Sequence, residues 1–271
     1  MKKFLVCVFL LAAPPAWADA AAPLVVEEGP IVGAPNARRE VILNADVLEQ
    51  TKVFDVQDGR EHSVRGLPLR KLLGQLATPK RVDTVVFAYT DGMQIPVKLS
   101  DRPEVDALFV AFFHGDVLER FSSTYPVDKK FELTCPKVVY GRKAGRYILW
   151  HSPTQLASIR LVTWRAFEAQ LAQPTRRVPN KAGWKLYLQH CQACHGIGGQ
   201  GATRGPDFLS HMDAYRRIPP LAQTNEGEIP SLHEKVTGYV DGTMPVLNHI
   251  KDADVTKLWN WLHAIHRSGT Q

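Results

Sequence analysis

Apolar and polar positions divide this chain into stretches of different character. The first is a single apolar run, Phe4 to Ala13, preceded by Lys2 and Lys3 and followed by Ala16-Trp17-Ala18. A basic start, a short apolar run and an A-x-A site together predict a secretory signal peptide over residues 1–18. The run falls short of the ~20 apolar residues that a span needs, which makes an N-terminal anchor the weaker reading. Residues 19–40 show little periodicity and read as a lead-in segment. From Val41 to Leu171, short apolar runs are broken by turn residues. Val85 to Tyr89, then Asp91-Gly92, then Met93 to Leu99 spell a β-hairpin. Tyr147 to Trp150 and Ile159 to Trp164 read as strands, and Leu69 to Leu76 as a short amphipathic helix. Residues 41–171 are therefore expected to form an α+β domain, richer in strand than in helix.

Residues 172–180 are polar and hold Pro174 and Pro179, a linker pattern. Beyond them the period changes. Lys181 to Gln189 has helical spacing, residues 196–206 are glycine-rich, and Ile229 to Tyr239 is helical again. Asp252 to His266 is the strongest helix, with Leu258, Trp261 and Leu262 on one face. Residues 181–271 are expected to be an all-α second domain.

Length and composition agree with two globular domains: 271 residues, 45% hydrophobic and 22% charged. No later stretch is apolar enough to span a membrane, so the mature chain is expected to be soluble outside the cytoplasm. The formal charge of +6 falls to +4 when Lys2 and Lys3 leave with the signal. No dense basic stripe interleaves with aromatics, which argues against nucleic acid. The mild excess allows steering toward an acidic protein partner.

Three cysteines remain after processing, Cys135, Cys191 and Cys194, an odd number that no simple disulfide framework uses up. Cys191-Gln192-Ala193-Cys194-His195 is C-x-x-C-H, the c-type haem attachment signature. Two thiols one helical turn apart can add to the two vinyl groups on one edge of the macrocycle. The next residue then brings an imidazole under the iron. A thioredoxin-type dithiol would follow a strand, whereas Trp184 to Gln189 is helical. A zinc ribbon would need a second cysteine pair, and a bare disulfide would leave His195 unexplained.

The second axial ligand must come from downstream. Met244, in the turn Gly242-Thr243-Met244-Pro245, is preferred; Met212, His211, His233 and His249 stay open. Gly196-Ile197-Gly198-Gly199-Gln200-Gly201 satisfies G-x-G-x-x-G, but it follows a helix and runs into loop, which sets nucleotide binding aside.

On these residues the stretch from about Asn180 onward resembles a class I c-type cytochrome. Gly183-Trp184-Lys185-Leu186-Tyr187 is similar to the G-x-x-x-aromatic of that family's first helix. Leu258-x-x-Trp261-Leu262 is similar to its last helix. The resemblance implies that these two helices cross closely. It also implies that the proline carbonyl in Gly205-Pro206-Asp207-Phe208 accepts the second N–H of His195.

The first domain resembles the molybdopterin-binding fold of the sulfite-oxidase type. The similar residues are Val64-Arg65-Gly66-Leu67-Pro68-Leu69-Arg70-Lys71-Leu72-Leu73 and the hairpin around Tyr89-Thr90-Asp91-Gly92. The Ile159-Arg160-Leu161-Val162 run would be its closing strand. That family holds molybdenum through a cysteine upstream of the first of these segments, and between Val41 and Gly66 there is none. The fold without its metal is therefore the expectation. Cys135 reads as a buried thiol, Arg142, Lys143 and Arg146 as a solvated basic loop, and His114 and His151 as structural histidines. The leading expectation is an exported, periplasmic monohaem electron carrier, rather than an enzyme, docked to redox partners through its first domain. The other readings are a cytochrome subunit of a molybdopterin-type oxidoreductase and a haem-based sensor.

Overall fold

The alternating run at residues 84–98 folds as a hairpin of β5 (Thr84–Tyr89) and β6 (Gln94–Lys98), with Gly92 at φ +85° in its turn. Around it the computed structural model describes residues 21–28, 37–55, 59–76, 78, 80–114, 137–139, 141–143, 146–149, 155–172, 181–210 and 250–269. The other strands of the first half are β1 (Ala21–Glu28), β2 (Ala37–Asn44), β3 (Glu49–Asp55), β4 (Arg60–Pro68) and β7 (Phe109–His114). They are followed by β8 (Lys137–Val139), β9 (Arg142–Lys143), β10 (Arg146–Leu149) and β11 (Leu156–Val162). One sheet runs β2-β1-β11-β5-β6 and the other β8-β7-β4-β3-β10-β9. Two short helices, α1 (Leu69–Gln75) and α2 (Arg102–Asp106), and the longer α3 (Trp164–Ala172) complete a strand-rich α+β region.

Side chains from both sheets and from α1 make the main core. Leu69, Leu72 and Leu76 of the α1 stretch are fully buried with Val85, Phe87 and Ile159. Burying a side chain of this kind contributes about 1.5–3 kcal/mol, enough to hold a seven-residue helix that would be unstable alone. Asp101 caps α2 by accepting from the Glu104 N–H at 3.2 Å.

Two expectations are corrected here. Residues 21–28 are no lead-in: they form β1, which pairs antiparallel with β2 over its whole length and parallel with β11. Leu24 and Val26 are buried. Their strand character comes from partners far along the chain, which local periodicity does not register. The strand expected to reach Trp164 stops at Val162, because Thr163 Oγ1 accepts from the Ala166 N–H at 3.1 Å and starts α3.

In the second half, α4 (Lys181–His190) and α5 (Asp252–Gly269) are the expected first and last helices. Among the described residues this half is not purely helical. β12 (Gly196–Ile197) and β13 (Gln200–Gly201) form a small hairpin where a glycine-rich loop was expected. Gly198 and Gly199 occupy its two central positions at φ +58° and +74°, the left-handed pair that a tight two-residue turn needs. The helix expected at residues 229–239, residues 173–180 of the linker and Cys135 lie outside the described residues, while Ala172 ends α3. Among the described residues no helix is long and apolar enough to cross a membrane.

Candidate functional site

The site grows out of the close crossing of α4 and α5. Gly183 faces Trp261, and a Cβ there would come within 2.6 Å of the Trp261 Cγ. Only a residue without a side chain lets the helices approach this far. Trp261, Tyr187 and Trp184 fill the crossing, with ring centroids 5.5 to 5.8 Å apart.

The chain leaves α4 in a further helical turn. The Cys191 N–H donates to the Tyr187 carbonyl at 2.9 Å, Cys194 to the Cys191 carbonyl at 3.1 Å, and His195 to the same carbonyl at 2.9 Å. Cys191 and Cys194 thereby sit one turn apart, both as free thiols. Burial, with the Cys194 thiol adding to it, pushes the Cys191 thiol up to about 12. Burial likewise raises the Cys194 thiol, with the Arg204 guanidinium opposing and Asp91 assisting. Both shifts favour the protonated thiol over the reactive thiolate.

His195 is held on three sides. Its Nδ1 lies 2.8 Å from the Pro206 carbonyl, so Nδ1 carries the proton and Nε2 keeps its lone pair for a metal. Its ring stacks on Phe208, centroids 4.7 Å apart and 12° from parallel. Gly205 covers another side, where a Cβ would stand 2.6 Å from His195 Nδ1. Behind it, the Tyr187 hydroxyl donates to the His195 carbonyl at 2.8 Å. Burial lowers the imidazole pKa, against the pull of Pro206 and Asp207, and favours the neutral ring that can ligate.

Asp207 organises the surrounding loop. Its carboxylate accepts from the backbone N–H groups of Gly198 (3.1 Å), Gly199 (2.8 Å), Leu209 (2.8 Å) and Ser210 (3.0 Å). Partial burial would raise its pKa, but those four donors outweigh it and hold the carboxyl below its ordinary range. In the sequence the only trace of this role is Pro-Asp followed by two residues, an Asx-turn pattern too common to single out.

Neutral imidazole with Nε2 left for a metal and two thiols, not joined in a disulfide, on one turn suit a porphyrin attached by its edge and ligated by His195. Consistent with this geometry, residues 181–266 match the family model for cytochrome c. The match supports a c-type cytochrome domain over these residues, a family that binds haem c covalently and carries electrons. No curated protein is similar enough to the chain to count as a match. Met244, Met212, His211, His233 and His249 lie outside the described residues, as does His151. Arg142, Lys143 and Arg146 fall on β9 and β10, and His114 ends β7.

Proposed function

We propose that the chain is an exported, periplasmic c-type cytochrome carrying one haem c, which passes single electrons between redox proteins. In this reading Cys191 and Cys194 make the two thioether bonds, His195 Nε2 is the proximal ligand and Met244 the opposite one. Residues 1–18 are the export signal, and the N-terminal region serves to dock a partner rather than to hold molybdopterin. Haem c, once bound, supplies a one-electron iron couple.

The observation that carries this reading is the His195 cradle. Nδ1–H donates to Pro206, Phe208 and Gly205 fix the ring plane, and both cysteines are free on the preceding turn. The chain's own residues orient one imidazole, with the Phe208 ring stacked on it and Gly205 leaving space beside it. They leave the electron-transfer centre little to reorganise on a change of charge.

Intact-mass spectrometry of protein exported from a host that matures c-type cytochromes should show the mature chain plus one haem. Cys191→Ala or Cys194→Ala should each leave a single thioether, seen as a shifted α-band in alkaline pyridine, and the double variant should lose the haem. A bare-chain mass for the wild type would overturn the reading. Stoichiometric molybdenum in the purified protein would instead make the chain the cytochrome-containing subunit of a molybdopterin-type oxidoreductase.

A further inference from the structure

The turn of the β5–β6 hairpin, in the N-terminal region, lies directly on the cysteine segment. The Gln94 N–H donates to the carbonyl of Ala193, between the two cysteines, at 2.9 Å. The Thr203 N–H donates to the Gly92 carbonyl at 2.9 Å, and the Gln94 amide donates to the Gly201 carbonyl at 3.0 Å. Gly92 has a positive φ of +85°, and a Cβ there would crowd Thr203 and come within 3.0 Å of the Arg204 nitrogen. No side chain fits between the two surfaces.

One ion pair closes this junction. Arg204 Nη1 stands 3.0 Å from Asp91 Oδ2, with the Asp91 side chain 18% and the Arg204 side chain 43% exposed. Asp91 is fixed from its own side too, since its Oδ1 accepts from the Met93 N–H at 3.1 Å. Arg204 directly precedes Gly205, whose N–H donates to the Cys194 carbonyl at 2.7 Å, and Asp91 sits in the turn that reaches Ala193 through Gln94, so both charges lie beside the segment that would carry the haem edge. An ion pair at a solvent boundary adds little stability. Its position beside a centre that changes charge gives it a different use.

We infer that Asp91 and Arg204 form a balanced charge pair beside the haem edge, in which a carboxylate of the N-terminal region offsets the effect of the Arg204 guanidinium on the reduction potential of the haem. The inference rests on the reading that Cys191, Cys194 and His195 hold haem c. Loss of an electron adds one positive charge at the iron. A carboxylate nearby favours that oxidised state and a guanidinium disfavours it. As a pair they largely cancel; removing either leaves the other uncompensated.

Spectroelectrochemical titration of the full-length holoprotein tests this. Asp91→Asn keeps the oxygen that binds the Met93 N–H and removes only the charge. It should raise the ferrous-to-ferric ratio at fixed ambient potential by roughly two- to threefold, the effect of one unit charge through a partly solvated interface. Arg204→Gln should lower that ratio by a similar factor, the double variant should return close to wild type, and Arg204→Lys should leave it unchanged. Shifts of the same sign in both single variants, or no shift in either, would overturn the inference, as would a Lys variant that behaves like Gln. Haem content of each protein is measured alongside. A wild type without covalent haem defeats the underlying reading, whereas full haem with same-sign or null shifts defeats this inference alone.

Discussion

Asp207 shows how much one carboxylate can organise when backbone donors converge on it. The four N–H groups it accepts come from two separate turns, residues 198–199 and 209–210. It ties the tip of the small hairpin to the segment that follows Pro206, the acceptor for His195. Replacing it with alanine leaves those donors to water and loosens the Pro206 carbonyl. Asp207→Ala should destabilise by on the order of 1 kcal/mol, since the carboxylate is partly solvated and its hydrogen bonds are screened. Because the folded-state pKa is depressed, this contribution is in place above about pH 4 and is lost as the pH falls below that. Urea denaturation of wild type and variant should therefore differ at pH 7 and converge as the pH falls below the ordinary carboxylate range.

The crossing of α4 and α5 depends on Gly183 as strongly as any side chain depends on its pocket. In an exposed helix, alanine would be better than glycine by about 1 kcal/mol. Here a methyl group would be driven into Trp261, which is 1% exposed and packed on Tyr187 and Trp184. Overpacking of this kind costs about 1–3 kcal/mol or more, so the propensity gain is overrun. Gly183→Ala should lower the thermal midpoint and disturb the near-ultraviolet signal of Trp261, while Lys185→Ala, on the same helix, should do neither. The other two elements at the site also owe their form to glycine. Gly198 and Gly199 allow the turn of β12 and β13, and Gly205 leaves room for the His195 ring.

The two halves of the chain share a core. Val86 and Val162 of the first sheet and Phe167 and Leu171 of α3 are buried together with Tyr187, Ile197, Phe208 and Trp261. Leu171 lies against Gly201, where an added Cβ would be 2.7 Å from its Cδ2. A polar bridge runs alongside. Arg160 donates to the Gln94 and Gln170 side-chain oxygens, and Gln170 in turn donates to Gln200. The Trp184 indole N–H donates to Glu168 at 3.0 Å. With a buried interface of this composition, the halves should unfold together. Leu171→Ala should cost about 2–5 kcal/mol and shift the denaturation midpoints of the haem absorbance and the far-ultraviolet signal in parallel. Loss of the haem signal alone, with the strand signal unmoved, would mean that the halves are independent.

Local pattern alone determined much of this protein. Cys191, Cys194 and His195 stand out because their chemistry depends on spacing within one helical turn. The hairpin of β5 and β6 and the helices α1, α4 and α5 follow from periods of two and 3.6, set by neighbours a few residues away. The close helix crossing and the Pro206 contact came from resemblance to a family and hold in the structure. Tertiary structure decided what depends on distant partners. It made residues 21–28 a strand, since hydrogen bonds from β2 and β11 complete that backbone. It also joined α3 to the second core and set the turn at Asp91 on the cysteine segment, about 100 residues away in sequence. Contacts over such separations leave no periodic trace, because each side supplies only half of the complementarity.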